Sequence, residues 1–246
     1  MIDYIEVRNK NRSLIGIIDV AKSIIWRPTY YGVGDFEIYT QATEDMLSML
    51  QVGHYITIPT DEDVGLIDGI AIADDLQNGR MITAMGSFAK ELLRRRHIYN
   101  LDNANYSNIV TVLKGNVEQA VRKVIQDNII DCTWDVRRNI DFLALGAFSG
   151  SDKQIVDDDG TAAEKQVSYE NLLSYTDDVL KEYNFGSRVL LDPNTLKLKY
   201  VVYEGKNRSV DNKDGNQPII FSKKFENLVT ENYNFDTSTY KNMALI

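Results

Sequence analysis

The stretch SIIWRPTYYGVGDFEIY, residues 23–39, sets the frame for the whole chain. Its second half alternates, with Phe36, Ile38 and Thr40 on one face and Asp35, Glu37 and Tyr39 on the other. A period of two with one apolar face describes a strand that lies on a core. The first half, SIIWRP, is a short β-branched run, and Gly32-Val33-Gly34 reads as the tight reversal between two strands. Trp26, Arg27, Tyr30 and Tyr31 gather between them at a strand end. Trp, Tyr and Arg are the residue types that anchor protein interfaces. Two readings stay open for these four: they cap the core of the first section, or they touch a neighbouring subunit.

The flanking sequence repeats the strand signature. YIEVRN (4–9) and SLIGIID (13–19) precede the stretch, and YITIPT (55–60), VGLIDGIAIADD (64–75) and RMITAMGS (80–87) follow it. Asn78-Gly79 joins the last two as a hairpin, because both positions accept positive φ. TEDMLSML (43–50) predicts a short helix capped by Thr43, with Glu44 and Asp45 complementing the positive helix start. Short strands at close spacing around one helix predict a small closed or nearly closed β-barrel over residues 1–87.

Residues 88–166 predict a helical and irregular middle section. FAKELLRRRH (88–97) has helical spacing, and NVEQAVRKVIQDNI (116–129) is the clearest helix, with Val117, Ala120, Val121, Val124 and Ile125 on one face. Residues 150–166 are polar and weakly patterned, a loop or irregular hairpin. Residues 167–246 predict a second α+β section. A helix capped by Ser168 carries Tyr169, Leu172, Leu173, Val179, Leu180 and Tyr183 on one face and ends at Gly186. A hairpin turning at Pro193 follows, and IIFS (219–222), NLVTENYNFDT (227–237) and YKNMALI (240–246) read as closing strands.

Composition narrows the function. At 246 residues, 43% hydrophobic and 26% charged, the chain has the balance of a folded protein. No apolar run reaches the roughly 18–20 residues of a membrane span, so no membrane insertion is expected. The opening MIDYIEVRNK carries acids where a secretory signal carries basic residues, and synthesis in a cytoplasm is expected. Cys132 is the only cysteine, which rules out an intrachain disulfide; it and the two histidines, His54 and His97, read as structural. The net charge of −9 gives no support to a DNA-binding protein. The basic run LLRRRH (92–97) lacks interleaved aromatics and reads as a solvated or interface-facing helix end.

Catalytic motifs are missing from the sequence. Asp61, Glu62 and Asp63, and the run Asp157, Asp158 and Asp159, read as solvated turn acid. Tested as calcium loops, the segments ending at Gly160 and Gly215 place Ile155 and Val210 in the first ligand position, and both fail. There is no nucleophile elbow, phosphate loop, zinc-protease helix or dinucleotide fingerprint, and nothing calls for a metal or cofactor.

Taken in order, LIGIID, SIIWRPTYYGVGDFEIY, VGLIDGIAI, GSFAKELLRRR, YENLLSYTDDVLKEYNFGSRVLLD, VYEGKNRS and IIFSKKFENLVTENYNFDTSTYKNMALI resemble the tail proteins of long-tailed phages and prophages. These are the baseplate-hub, or tail-associated, proteins whose amino-terminal part closes the tail tube. The resemblance runs over nearly the whole chain; its most specific pieces are the W…YY…GDFE block and the YKNMAL strand. It implies a β-rich α+β fold with two small β-barrel-like hub domains and a helical middle. It also implies a non-catalytic structural subunit, without cofactor, assembled as a homotrimer into a ring that closes or adapts the tube and lets DNA pass. The implied partners are further copies of the chain, distal tail and tube proteins, and DNA in passage; the implied location is the virion tail. Two other classes stay open. One is a tail-tip cell-wall or polysaccharide hydrolase, although the chain is too short to carry one beyond the hub. The other is a carbohydrate- or receptor-binding module stacking sugars on exposed Tyr and Trp. Similar chains continue past the YKNMAL-type strand, whereas this one stops at Ile246, which fits a shortened chain or a compact member.

Overall fold

In the computed structural model, which describes residues 4–99 and 110–228, the strands and helices appear in the following chain order. Strand β1 is Ile5–Arg8, β2 Leu14–Ile18, β3 Ser23–Arg27 and β4 Asp35–Gln41; helix α1 is Glu44–Met49. Strand β5 is Tyr55–Ile58, β6 Asp61–Asp75, β7 Gly79–Phe88 and β8 Thr111–Lys114; helix α2 is Val117–Ile125. Strand β9 is Leu143–Leu145, β10 Glu164–Val167, helix α3 Leu172–Glu182, β11 Phe185–Leu191 and β12 Leu198–Glu204. The fold is mixed α+β and strand-rich.

The alternation in residues 35–41 is realised in β4, which buries Phe36, Ile38 and Thr40 and leaves Glu37 and Tyr39 half-buried opposite. It lies antiparallel between β3 and β7, and β7 returns from β6 through a turn at residues 76–78, one step earlier than the expected Asn78-Gly79 pair: Gly79, at φ +76°, already pairs with Asp75, and Asn78 does not take a positive φ. The first half of β6 also pairs with β5, which leads on to β1 and β2. Strands from both ends of this sheet share one core: Ile5, Val7 and Ile18 pack with Phe36, Ile38, Ile56, Ile67 and Ile82. The sheet therefore wraps around its apolar face. Among the described residues no ladder joins β2 to β3, so no closed barrel forms. The connection between them is held elsewhere: Lys22 N–H donates to Tyr39 O at 2.9 Å, and Thr40 Oγ1 donates to Val20 O at 3.0 Å. Helix α1 matches its expected bounds, and Thr43 Oγ1 accepts from Met46 N at 3.2 Å.

A second core holds the middle and third sections together, with Val64, Leu66, Leu92, Val121, Leu173, Phe185 and Tyr200 among its members. FAKELL forms a 3-10 turn over Ala89–Arg95 instead of an α-helix. Its buried residues, Ala89, Lys90, Leu92 and Leu93, recur at spacing three, which suits that tighter helix. Helix α2 is capped by Asn116, whose Oδ1 accepts from Gln119 N at 3.0 Å, and it runs on as a π turn to Ile130. Helix α3 starts later than the sequence suggests. Asn171 is its cap, accepting from Leu173 N at 3.1 Å and Ser174 N at 3.3 Å, and Tyr169 stands outside the helix at φ +62°. The helix ends where Asn184 takes φ +59°; Gly186, the expected stop, lies inside β11. Strands β11 and β12 form the expected hairpin, burying Leu198, Tyr200 and Val202, and Leu190 of β11 pairs with Asp63 of β6. Strand β9 adds to β12 in parallel, and β8 pairs with β10.

Residues 206–246 form a separate compact unit. Its described part contains a loop in which Asn212 Nδ2 donates to Ser209 O at 2.7 Å, and a 3-10 turn at Lys223–Phe225. IIFS forms no strand. The Asn227 amide occupies its backbone instead, donating to Ile220 O and accepting from Ser222 N, both at 2.8 Å. The strands expected from residue 229 onward lie outside the described residues.

Close strand packing sets the tolerance of the sheet. A Cβ at Gly86 would sit 1.9 Å from the backbone oxygen of Leu66, whereas one at Gly160 would meet nothing. Gly86→Ala is expected to cost about 3 kcal/mol through overpacking. Gly160→Ala should cost about 1 kcal/mol, from its left-handed φ alone. Chemical unfolding midpoints check both.

Candidate functional site

The four residues singled out in the sequence sit at one corner, and the structure uses them unequally. Trp26 closes the edge of the first core: its ring lies 5.7 Å from Phe36 and 4.8 Å from Phe88, and its Nε1 donates to Asp61 Oδ2 at 3.2 Å. Tyr30 reaches into the third section. Its hydroxyl donates to Asn184 O at 2.9 Å and accepts from Gly205 N at 2.6 Å. Only glycine leaves room for its ring, since a Cβ at Gly186 would fall 2.8 Å from it. Burial pushes the Tyr30 hydroxyl pKa up. Arg27 makes a two-pronged pair with Asp35 at 2.5 and 3.0 Å, but both side chains are more than half exposed, at 61% and 52%. Such a pair adds little stability. Tyr31 is 40% exposed, with Lys181 Nζ 5.8 Å over its ring. Two of the four are thus committed inside the chain, and Arg27 and Tyr31 face outward.

Beneath this corner lies a buried charge cluster. Lys90, only 3% exposed, places Nζ 2.6 Å from Asp177 Oδ1 and donates to Gly32 O at 3.0 Å. Burial draws the Lys90 pKa down and the Asp177 pKa up. Asp63, beside them, is pushed up to about 6 by burial and by the neighbouring Asp61 charge, against the pull of Arg188 and Lys90. Asp61, Glu62 and Asp63 open strand β6 and do not form a solvated turn. Both oxygens of Asp61 are engaged, one by Trp26 and the other by Asp63 N–H at 3.0 Å, while Arg188 pairs with Glu62 at 2.5 Å. These contacts tie β6, the 3-10 turn, α3 and β11 together. The sequence carried one signal for the cluster: a lysine inside the apolar run FAKELL, which local pattern alone reads as a solvated face.

The remaining features are simpler. A cavity of about 450 Å³ is lined by Val156, Asp157, Asp158, Asp159, Lys165 and Glu182. Among the described residues no group of His, Cys, Asp or Glu side chains is placed to hold a metal ion, and no helix is long and apolar enough to cross a membrane. Cys132 is buried, with its N–H donating to Asn139 Oδ1 at 2.6 Å, and His54 Nδ1 lies 2.8 Å from Met49 O.

Two outcomes follow from the corner and the cluster. Tyr30→Phe removes a hydroxyl that bridges two solvent-accessible backbone groups, which is expected to cost about 0.5–1.5 kcal/mol. In the folded chain Asp63 holds its proton more tightly than an ordinary carboxyl, whose pKa is near 4. Its contribution to stability is therefore full below that value and is lost as pH rises through about 6. Between pH 5 and 7 stability should fall by about 1 kcal/mol at most, since solvent screens this partly exposed carboxyl, and Asp63→Asn should flatten that slope. Thermal and urea unfolding across the pH range measure both.

Two solved structures align with most of this chain. The tail protein from Neisseria meningitidis MC58 aligns with a TM-score of 0.47 at 12% identity, over 80% of this chain and 50% of that one. The prophage tail protein gp18 from Listeria monocytogenes EGD-e gives 0.46 at 13% identity, over 80% of this chain and 50% of its own. The chain spans about half the length of these structures. None of the curated proteins matches it in sequence. The family model described as Siphovirus ReqiPepy6 Gp37-like protein matches residues 4–246, nearly the whole sequence. The chain belongs to this family of siphovirus tail proteins.

Proposed function

We propose that the chain is a structural subunit of a phage or prophage tail tip, at the baseplate hub, and performs no catalysis. The family match over residues 4–246 carries this reading. In it, residues 1–87 and 167–246 are the two hub modules and residues 88–166 join them. Three copies form a ring that closes or adapts the tail tube, distal tail and tube proteins contact that ring, and DNA leaves through it. The chain is made in the host cytoplasm and built into the virion tail. Two features support an assembling role. Arg27 and Tyr31 are offered outward at a corner that Trp26 and Tyr30 hold rigid. The net charge of −9 would also keep a lumen from trapping passing DNA.

Light scattering coupled to size exclusion tests the reading. The expected species is a trimer of the 28.0 kDa chain, without release of sugar from purified cell wall. A monomer at every concentration that also hydrolyses cell-wall polymer would contradict it.

A further inference from the structure

Folding gathers one arginine, Arg138, and three aromatic rings beside the basic run 92–97. The Arg138 guanidinium lies 4.8 Å from the Trp134 ring centroid and 5.2 Å from that of Tyr99. Tyr99 in turn meets Trp134 edge-on at 6.0 Å and Tyr169 at 5.1 Å. The cluster is fixed from behind. Arg138 donates to His97 O and, at 3.3 Å, to Asn128 Oδ1, while Arg96 Nε donates to Arg138 O at 2.8 Å. Its outer side is open to solvent: Tyr169 is 54% exposed, Val136 71%, and the side chain of Arg137, which also pairs with its neighbour Asp135 at 2.8 and 3.0 Å, 87%. Tyr169 holds this outward position at φ +62°, where bulky side chains are rarely found. On the adjoining basic run Arg94, paired with Glu91, and Arg95 are exposed, on a chain whose net charge is −9. A pre-ordered surface of Trp, Tyr and Arg has the composition of an interface anchor.

A segment of matching shape and charge lies on the same chain. Asp157-Asp158-Asp159-Gly160 is the tip of a narrow hairpin closed by the Val156–Ala162 bridge, and all four residues are exposed. Asp159 is turned inward to Thr161, accepting from its N at 2.9 Å and its Oγ1 at 2.7 Å, while Asp157 and Asp158 stand at the solvent edge. The Arg–aromatic surface sits at the first turn of α3, where Asn171 Nδ2 donates to Arg94 O at 2.8 Å. The acidic tip sits at the last turn, beside the Lys165–Glu182 pair at 2.9 Å. Helix α3 has 11 residues. A helix of that length is about 16 Å long, so the two surfaces do not meet within one copy.

We propose that they meet between copies: the acidic hairpin tip of one chain seats on the Arg–aromatic surface of the next, head to tail. This rests on the reading above that the chain self-assembles, and it names the contact. The partner is a second copy of this chain, chosen by charge complementarity. A head-to-tail contact uses two different patches and closes into a ring when its rotation allows, as a hub requires. Opposite charge steers the encounter, and the ring cluster supplies the desolvated anchor.

Sedimentation of the full chain from about 1 µM to about 1 mM measures the association directly. Raising salt from about 50 mM to about 500 mM should weaken it. Arg137→Glu, Asp158→Lys and Tyr169→Asn should each weaken it about tenfold or more. Asn tolerates the left-handed backbone, so Tyr169→Asn should keep the unfolding temperature, which a purely structural tyrosine would not. An equimolar mixture of the Arg137→Glu and Asp158→Lys chains should associate again, because each supplies the patch the other lacks. Unchanged association in the variants, no rescue in the mixture, or a wild-type chain that stays monomeric throughout would each overturn the contact. Association that persists in all three variants would leave the tail-subunit reading intact, since that reading names no particular contact.

Discussion

The ammonium group of Lys90 sits where three parts of the chain converge. Its own 3-10 turn leaves the first sheet, Asp177 comes from α3, and Gly32 O comes from the aromatic loop. A charge at this depth costs several kcal/mol unless it is paired and hydrogen-bonded, so the pairing fixes geometry more than it adds stability. With Gly32 held, the loop is aimed at the third section, and Tyr30 finds Asn184 O and Gly205 N. Asp63 and Arg188 continue the same seam between β6 and β11. The sheet, the aromatic corner and the second core are therefore registered by one buried cation and its neighbours.

That arrangement changes what the aromatic stretch is for. Trp26 and Tyr30 are spent on the chain itself, which makes the corner a rigid joint, and Arg27 and Tyr31 are carried on its outer side. The strongest outward grouping of Trp, Tyr and Arg lies elsewhere, at the start of α3. The family to which the chain belongs is one of phage tail proteins.

Local periodicity was legible wherever one face meets a core. Strand β4, the hairpin of β6 and β7 signalled by Gly79, the Thr43 cap of α1 and the alternation in β12 could all be read in advance because their signals lie within a few residues. Tertiary partners decided the rest. Asn171 displaces Ser168 as the cap of α3 because its side chain also bonds to Arg94 O, on a segment far away in sequence. The turn at Ala89–Arg95 tightens to bury Lys90, whose partner is on α3. IIFS has strand composition, yet a side-chain amide takes its hydrogen bonds. The Arg–aromatic surface was invisible because Tyr99, Trp134 and Tyr169 come together only after folding.

The most direct test of the central claim is a cryo-EM reconstruction of the tail assembled by the phage or prophage that encodes this chain. The account places the chain in a ring at the tail tip around the DNA exit, with the Asp157–Asp159 tip of each copy against Trp134 and Tyr169 of the next. A finished tail whose density contains no copy of the chain would contradict it.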